Sequence, residues 1–237
     1  MSWHNQNTGG FLRTSVEAQD NAWMVYNTLR SLGWLVNPIC AMLGNVEHES
    51  AYNPWRWQSD IVLAMNSAQI GVLCGGNTAH AYGLCQQDPA AKYIYRPYSQ
   101  ALPDFQPNFS DRPGGANDGT AQLQYLHWIC QNGDPDCGSN EWLPGASATY
   151  GMQYNDFITD TAHTINFLTH TFFWCYERGT WSDTRVTAAQ YWYDFFQGTP
   201  PEPPTPIPPT TAEICAMYIA LKKRKNIGIY ERRWYKK

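Results

Sequence analysis

The apolar residues of this chain recur at the three- and four-residue spacing typical of helices that are buried on one face. Residues 16–32 form the first such stretch, directly after Thr14-Ser15, which offers a cap for the start of a helix. Gly33 follows and predicts the end of the helix. The residues expected to point inward from this helix are Val16, Trp23, Tyr26 and Leu29 or Leu32.

A second helical stretch runs from Asn37 to Pro54. Asn37 is suited to cap the helix, and Pro38 fits the first helical position, where no N–H group is needed. Tyr52-Asn53-Pro54 predicts its end, because the residue before a proline is pushed out of the α region. The buried stripe is predicted to hold Ile39, Met42, Leu43 and Val46, and the same spacing places Glu49 next on that stripe.

The rest of the chain predicts further helices that are separated by long loops. Proline and glycine gather at residues 97–118, which are expected to be irregular, and residues 132–153 are also loop-like. Almost no segment alternates with a period of two, so we expect a mostly α fold with at most a small β element. The remaining helices are predicted at residues 61–69, 119–131, 155–177 and 184–197.

Composition supports one sizeable folded domain. Hydrophobic residues make up 43% of the 237 positions, but only 15% are charged, and aromatic residues reach 15%. The chain is therefore polar mainly through amides and hydroxyls. That balance suits sugar recognition, where aromatic faces stack and amides bond hydroxyls, and it suits a secreted or virion surface equally well. Most of the tryptophans are expected in the core.

The cysteines and histidines predict no metal site and no cofactor. The seven cysteines lack CxxC spacing, and free buried thiols are the favoured interpretation, although Cys130 with Cys137 or Cys74 with Cys85 could close short loops in an oxidising space. The six histidines show no HExxH or similar pattern. The first eleven residues have no basic region followed by an apolar run, so no signal peptide is expected, and no apolar stretch is long enough to span a bilayer.

The C-terminal part of the chain differs sharply from the rest. Residues 199–211 contain seven prolines and predict an extended linker after a domain at residues 1–198. Residues 212–237 then hold eight of the 16 basic residues and two acidic ones. A short basic amphipathic helix is predicted at residues 213–224. We expect this tail to anchor the protein to a partner, an anionic polymer or membrane surface, or its own acidic domain, in preference to a mobile tail; nucleic-acid binding is weakly supported.

Glu49 is the residue in this pattern with the clearest chemical meaning. A carboxylate rarely lies on a buried stripe for stability, because burial without a partner is costly for a charged group. Such a glutamate tends to have a raised pKa and can serve as a general acid near neutral pH. If the helix ends one residue earlier, Glu49 is simply exposed, and the neighbouring Glu47 is expected to be exposed in either case.

Three blocks of sequence around this glutamate resemble a known family. They are Gly44-Asn45 with Glu49-Ser50-Ala51-Tyr52-Asn53-Pro54, then Ala81-Tyr82-Gly83-Leu84-Cys85-Gln86, and finally Phe172 to Tyr193. In this order they resemble the phage tail lysozymes of the lysozyme-like superfamily and, more distantly, the lytic transglycosylases, over about residues 20–197. The chain departs from the pattern at Cys85 and at Gln87-Asp88, which replace an apolar residue and a Gln-Trp pair, and a long insertion separates the blocks.

The resemblance implies a virion-associated enzyme that cleaves glycosidic bonds of bacterial peptidoglycan when a phage infects its host. It implies that Glu49 is catalytic and that Gln86 positions the substrate through its amide. Ser50 and Tyr82 are also expected at the substrate site, with Ser50 at the helix end beside Glu49 and Tyr82 beside Gln86. A second carboxylate could be Asp60, Asp88 or Glu177, with Glu177 the one expected at the substrate cleft, or the N-acetyl group of the substrate could replace it. The partners implied are peptidoglycan and, through residues 212–237, other phage tail proteins.

A second interpretation keeps the lysozyme-like fold without its activity. In that case the domain is a structural or sugar-binding part of a phage tail tip. Amidase or peptidase chemistry is disfavoured, because the sequence shows no Cys/His/Asn or zinc constellation with suitable spacing.

Overall fold

A computed structural model of the chain describes residues 2–6, 8–58, 80–88, 90, 93, 117–134 and 140–198. The helix predicted at residues 61–69, Asp60, most of the irregular region at residues 97–118, the linker and the basic tail lie outside these residues.

The described residues form a mostly α fold, as predicted. Their β pairing is limited to isolated bridges from Tyr82 to Trp57 and to Gln87. None of the helices in this part of the chain is long and apolar enough to cross a membrane. The helices are α1 (Val16–Ser31), α2 (Val36–Ser50), α3 (Asp118–Asn132), α4 (Tyr154–Ile158), α5 (Ile165–Phe172) and α6 (Thr184–Gly198), with a π-helical turn at Phe173–Glu177 and a short 3₁₀ turn at Pro144–Ala146.

Helix α2 is the centre of the fold. Every residue from Pro38 to Val46 is buried, because α6, α5 and α1 all pack against this helix. The predicted stripe of Ile39, Met42, Leu43 and Val46 is completely inaccessible to solvent. Burial on all sides explains why residues beside the stripe, such as Cys40 and Ala41, are apolar as well. The carboxyl end of α2, where Glu49 lies, is therefore held rigidly by the core.

The ends of α1 and α2 confirm some predicted signals and correct others. Ser15 caps α1 by accepting a hydrogen bond from the Ala18 N–H. Val16, predicted to point inward, is 68% exposed, since it directly follows the cap in the first turn. The predicted Asn37 cap is also wrong. Helix α2 begins at Val36, after Leu35, and tolerates Pro38 because the first turn of a helix needs no N–H donors.

The long helix predicted at residues 155–177 is broken. After α4, the Asp160 carboxylate accepts hydrogen bonds from the N–H groups of Ala162 and His163. Thr164 then caps α5 by accepting a hydrogen bond from the Phe167 N–H. These local side-chain bonds compete with a continuous helix. After the break, α5 packs against α2. The π-helical turn that follows ends at Glu177, where Arg178 takes the left-handed conformation.

Gly44 allows α6 to cross α2 at close range. A methyl group on Gly44 would overlap the backbone oxygen of Arg185 and lie 2.7 Å from the Ala189 Cβ. Both of these atoms belong to α6. The Gly44-Asn45 pair in the sequence therefore marks the point where the two helices touch.

Gly44→Ala should lower the free energy of unfolding by about 2 kcal/mol, because the helices must separate to admit the methyl group. Urea denaturation at fixed pH measures this change. Gly145→Ala is a suitable control, since a Cβ at Gly145 would meet no atom within 4 Å. Equal stability of the two variants would contradict the close crossing.

Candidate active site

Glu49 lies in the last turn of α2, at the edge of the core. Ser50 ends the helix, and Ala51 follows in the left-handed conformation, with a φ of 47°. Tyr52 is also left-handed, with a φ of 64°. The Phe11 N–H donates to the Ala51 carbonyl and ties the N-terminal segment to this turn. The chain thus turns away just after Glu49 and leaves its side chain 20% exposed.

The Glu49 carboxylate is paired with a buried arginine. The Arg185 Nη2 donates to the Glu49 Oε1 over 2.6 Å, and the Arg185 side chain is only 1% exposed. The sequence placed Glu49 on the buried stripe but named no partner for it, and the structure supplies one in Arg185. The contact is a short, charge-assisted hydrogen bond.

Arg185 is itself held by several groups of α2 and of the π-helical turn. Its Nη1 donates to the Asn45 Oδ1 over 3.1 Å, and its Nη2 lies 3.0 Å from the His48 Nδ1. Its guanidinium also lies over the Phe173 ring, 5.0 Å from the ring centre. Burial and, to a lesser degree, the Arg185 charge lower the pKa of His48. Arg185 therefore bonds a neutral imidazole and a carboxylate at once.

Glu177 lies at the end of the π-helical turn, and its carboxyl group is buried. Its Oε1 has no hydrogen-bond partner. Burial, and next the negative charge of Glu49, raise the pKa of Glu177 well above its ordinary value; Arg185, the Cys85 thiol and Arg178 oppose this rise. The structure thus brings Glu49 and Glu177 close enough for their charges to interact, although they are distant in sequence.

A small open cleft of about 100 Å³ lies over Glu177. One wall is the loop of residues 85–88, which begins within the Gly-Leu-Cys-Gln block. Gln87 in this loop donates a hydrogen bond to the Tyr176 hydroxyl. Gln86 lies in this wall with a φ of 44°, and its Nε2 donates to the carbonyls of Arg56 and Gly83. The cleft is lined by Cys85, Gln86, Gln87, Asp88, Glu141, Tyr176, Glu177 and Arg178.

Comparisons with known proteins show the family of the chain. The family model of the phage tail lysozymes matches residues 20–196. The chain belongs to the phage tail lysozyme family. It is also 30% identical over 181 residues to Morphogenesis protein 1 of Bacillus phage B103, a match that covers 75% of this chain and 40% of the relative. The chain thus spans less than half of that relative's length.

Two residues of the tail-lysozyme pattern lie below the surface. Ser50 is completely buried, and its hydroxyl donates to the Val46 carbonyl over 3.2 Å. Tyr82 is completely buried as well, and its hydroxyl donates to the Asp118 Oδ2 over 2.7 Å. Neither side chain lines the cleft. Their positions fit support of the helix end and of the cleft loop, whereas Gln86 and Glu177 face the cleft.

Asp118 is a buried carboxyl group that the sequence did not single out. It accepts hydrogen bonds from Tyr82 and, over 2.5 Å, from Tyr93. Burial raises its pKa to about 6, against the lowering effect of the two tyrosines and Gln122. The group therefore becomes charged between mildly acidic and neutral pH.

Asp118→Asn should remove a pH dependence of stability. The pKa of Asp118 rises from 3.8 in the unfolded chain to about 6 in the folded protein, so the folded state holds its proton more tightly. The contribution of Asp118 to the free energy of unfolding is fully present below pH 3.8 and is lost as the pH rises through about 6. The free energy of unfolding of the wild type, relative to Asp118→Asn, should fall by about 3 kcal/mol over this range. Urea denaturation across the range measures it, and a constant difference would contradict the shift.

Glu47 does not behave as the sequence predicts. Instead of being exposed, it forms a two-bond pair with Arg13 at 2.5 and 2.6 Å and accepts a hydrogen bond from the Tyr52 hydroxyl. Its side chain is 25% exposed. The pair fixes the N-terminal segment against the end of α2, on the side of the helix that does not hold Arg185.

Sequence reasoning missed Arg185, although the chain carries a signal for it. Arg185 occupies the same helical stripe as the buried residues Ala188, Ala189 and Trp192. A basic residue on a buried stripe requires a partner, just as an acidic one does. Pairing the unexplained Arg185 with the unexplained Glu49 would have predicted their contact.

A second hollow and the free thiols of the described residues add no further carboxyl group to this site. A larger hollow of about 260 Å³, lined by Trp142, Tyr154 and several amides, contains no carboxyl group. Cys40, Cys85, Cys130 and Cys175 are buried free thiols, as predicted. Within the described ranges, no group of three or more His, Cys, Asp or Glu residues is placed to hold a metal ion.

Proposed function

We propose that the protein is a virion-associated peptidoglycan hydrolase that cleaves glycosidic bonds of the bacterial cell-wall glycan, as a muramidase or a lytic transglycosylase. The observation that carries this proposal is the anchored Glu49, which has a second carboxyl group nearby in a chain of the phage tail lysozyme family. Cleavage of a glycosidic bond needs a proton for the leaving oxygen and a group that meets the positive charge at the sugar carbon. Two carboxyl groups in unlike surroundings can meet both needs.

Glu49 is the catalytic carboxyl group in this proposal. Gln86 and Glu177 contact the glycan from the cleft, and Ser50 and Tyr82 support the helix end and the loop from below. No metal or cofactor is required for this chemistry. The substrate is bacterial peptidoglycan, as the family implies.

The place of action proposed is the phage tail at the host cell wall. The family consists of phage tail lysozymes, and the relative from phage B103 is a morphogenesis protein. Residues 1–198 form the catalytic domain in this proposal, and residues 199–211 separate it from the basic segment at residues 212–237. That segment anchors the enzyme to other tail proteins through its positive charge.

A second candidate function is that of a tail component that binds sugar without cleaving it. The ion pair between Glu49 and Arg185 favours this second function, because a glutamate that neutralises a buried arginine can be explained by stability alone. In this case the cleft holds glycan, and the carboxyl groups serve only binding and stability.

Incubation of the purified protein with washed insoluble peptidoglycan distinguishes the two functions. A hydrolase should release soluble sugar fragments in proportion to time and protein concentration. A binding component should pellet with the insoluble wall and release nothing.

A further inference from the structure

The larger hollow is formed by three separate stretches of the chain. Cys130 lies in the last turn of α3, Trp142 lies between α3 and α4, and Tyr154 is the first residue of α4. Glu141 lines the cleft and the next residue, Trp142, lines the hollow, so one segment contributes to both. The volume of the hollow is about 260 Å³. Sites for drug-sized molecules measure about 300–1,000 Å³, so this hollow suits a ligand about as large as one sugar ring.

Side-chain amides surround the hollow. Five of its ten lining residues are asparagine or glutamine, and one of them, Asn132, donates its amide to the Trp128 carbonyl over 2.8 Å. The other four are exposed, and their amides form no hydrogen bond with any residue that the structure describes: Gln131, Asn140, Gln153 and Asn155. Each amide offers two N–H donors and a carbonyl acceptor. The rim of the hollow therefore has unused donors and acceptors for a ligand.

The floor of the hollow is aromatic and fixed by the core. Trp142 and Tyr154 are only 4% and 5% exposed, and their rings meet edge to face with centres 5.3 Å apart. The Trp142 Nε1 donates to the Met152 carbonyl over 2.7 Å, and the Tyr154 hydroxyl lies 2.8 Å from the His127 Nδ1. The polar atoms of the floor are thus already bonded within the protein. The hydrogen-bonding groups left for a ligand are those of the rim.

The hollow presents no charged side chain to a ligand. None of the ten described residues that line it is acidic or basic, and the Cys130 thiol stays neutral because burial raises its pKa well above the ordinary value. A charged ligand loses water at a high cost unless an opposite charge meets it. The hollow therefore favours an uncharged ligand. The cleft differs in this respect, because it is lined by Asp88, Glu141, Glu177 and Arg178.

We propose that this hollow is a second carbohydrate site, which binds one neutral N-acetylglucosamine unit of a glycan. The rim amides bond the hydroxyl and acetamido groups of the sugar, which both donate and accept hydrogen bonds as amides do. In peptidoglycan the glucosamine units are uncharged, whereas the peptide stems on the muramic units carry free carboxyl groups. The inference goes beyond the proposed function, because an enzyme and a tail component that does not cleave would both use such a site to stay on the wall.

Titration of the full chain with tri-N-acetylchitotriose tests this inference, because the trimer contains only neutral N-acetylglucosamine. The variant Gln153→Ala/Asn155→Ala removes two rim amides that bond no described residue, so it should fold with wild-type stability. It should bind the trimer at the hollow about ten-fold more weakly, since each lost amide contributes at least one hydrogen bond. The matched control is Gln190→Ala, which removes an exposed amide of α6 that bonds Asp194.

The NMR signal of the Trp142 indole N–H separates the hollow from the cleft. Trp142 lines the hollow and does not line the cleft. The trimer should shift this signal with the same half-saturation concentration in the wild type and in Gln190→Ala. That concentration should rise about ten-fold in Gln153→Ala/Asn155→Ala.

Three results would overturn the inference. The first is a signal that the trimer leaves unmoved, and the second is equal half-saturation in the wild type and the double variant. The third is a shift produced by a free acidic stem peptide in place of the trimer. The titration does not depend on cleavage, so a protein that binds the trimer at the hollow but releases no sugar from peptidoglycan would keep this site and lose the proposed enzyme activity.

Discussion

Glu49→Gln should reduce cleavage of peptidoglycan by about 1,000-fold, because the variant retains the shape of the site and loses its ionisable group. The glutamine carbonyl can still accept the hydrogen bond from Arg185, so the protein should still fold, with a lower free energy of unfolding because Arg185 loses its ionic partner. Release of soluble sugar from purified peptidoglycan, followed over a range of enzyme concentrations, measures the loss.

Glu47→Gln is the matched control for this experiment. It makes the same change two residues earlier on α2, where the carboxylate bonds Arg13 and Tyr52. It should lower stability through the weakened pair and leave cleavage close to that of the wild type at a temperature at which both proteins are folded. Equal loss of cleavage in the two variants, or no loss in Glu49→Gln, would contradict a catalytic role for Glu49.

Arg185→Met should lower the free energy of unfolding by about 3–5 kcal/mol, because it removes one partner of a largely buried ion pair. The substitution also removes hydrogen bonds to Asn45 and His48 and the contact with the Phe173 ring. Urea denaturation measures the change. Arg30→Met, in which an exposed arginine loses one bond to the Trp34 carbonyl, should cost about 1 kcal/mol or less.

The double variant Arg185→Met/Glu49→Gln tests whether the two residues act as a pair. Each single variant leaves the other residue without its ionic partner, whereas the double variant removes both charges. Its loss of stability should therefore be smaller than the sum of the single losses, by at least about 1 kcal/mol. Strict additivity would show that the contact between Arg185 and Glu49 contributes nothing to stability.

The apolar spacing was sufficient to predict the framework of this site. The spacing predicted α2, its buried stripe and the position of Glu49 at the end of that stripe. Ser15 and Gly33 predicted where α1 begins and ends. These features depend on periodicity and on local capping, which a sequence displays directly. The family resemblance drawn from the three blocks is confirmed by the match over residues 20–196.

The features that the sequence did not predict depend on tertiary contacts or on competing local bonds. The partner of Glu49 is 136 residues away, so no local pattern predicts that the carboxylate is paired. The break after α4 arises because Asp160 and Thr164 bond backbone N–H groups between two apolar stretches that would otherwise join. The Glu177 Oε1 is buried, and the groups that act on this carboxyl group, Glu49, Arg185 and Cys85, are distant from it in sequence or lie on other elements.

Mass spectrometry of the fragments released from purified peptidoglycan tests the central claim most directly. We expect fragments that are cleaved between sugars and retain intact peptide stems, with a reducing end for a muramidase or an anhydro end for a transglycosylase. They should be produced by the wild type and be nearly absent with Glu49→Gln. Fragments cleaved within the peptide stems, or no fragments from a wild-type protein that still binds the wall, would contradict the assignment as a glycan-cleaving enzyme.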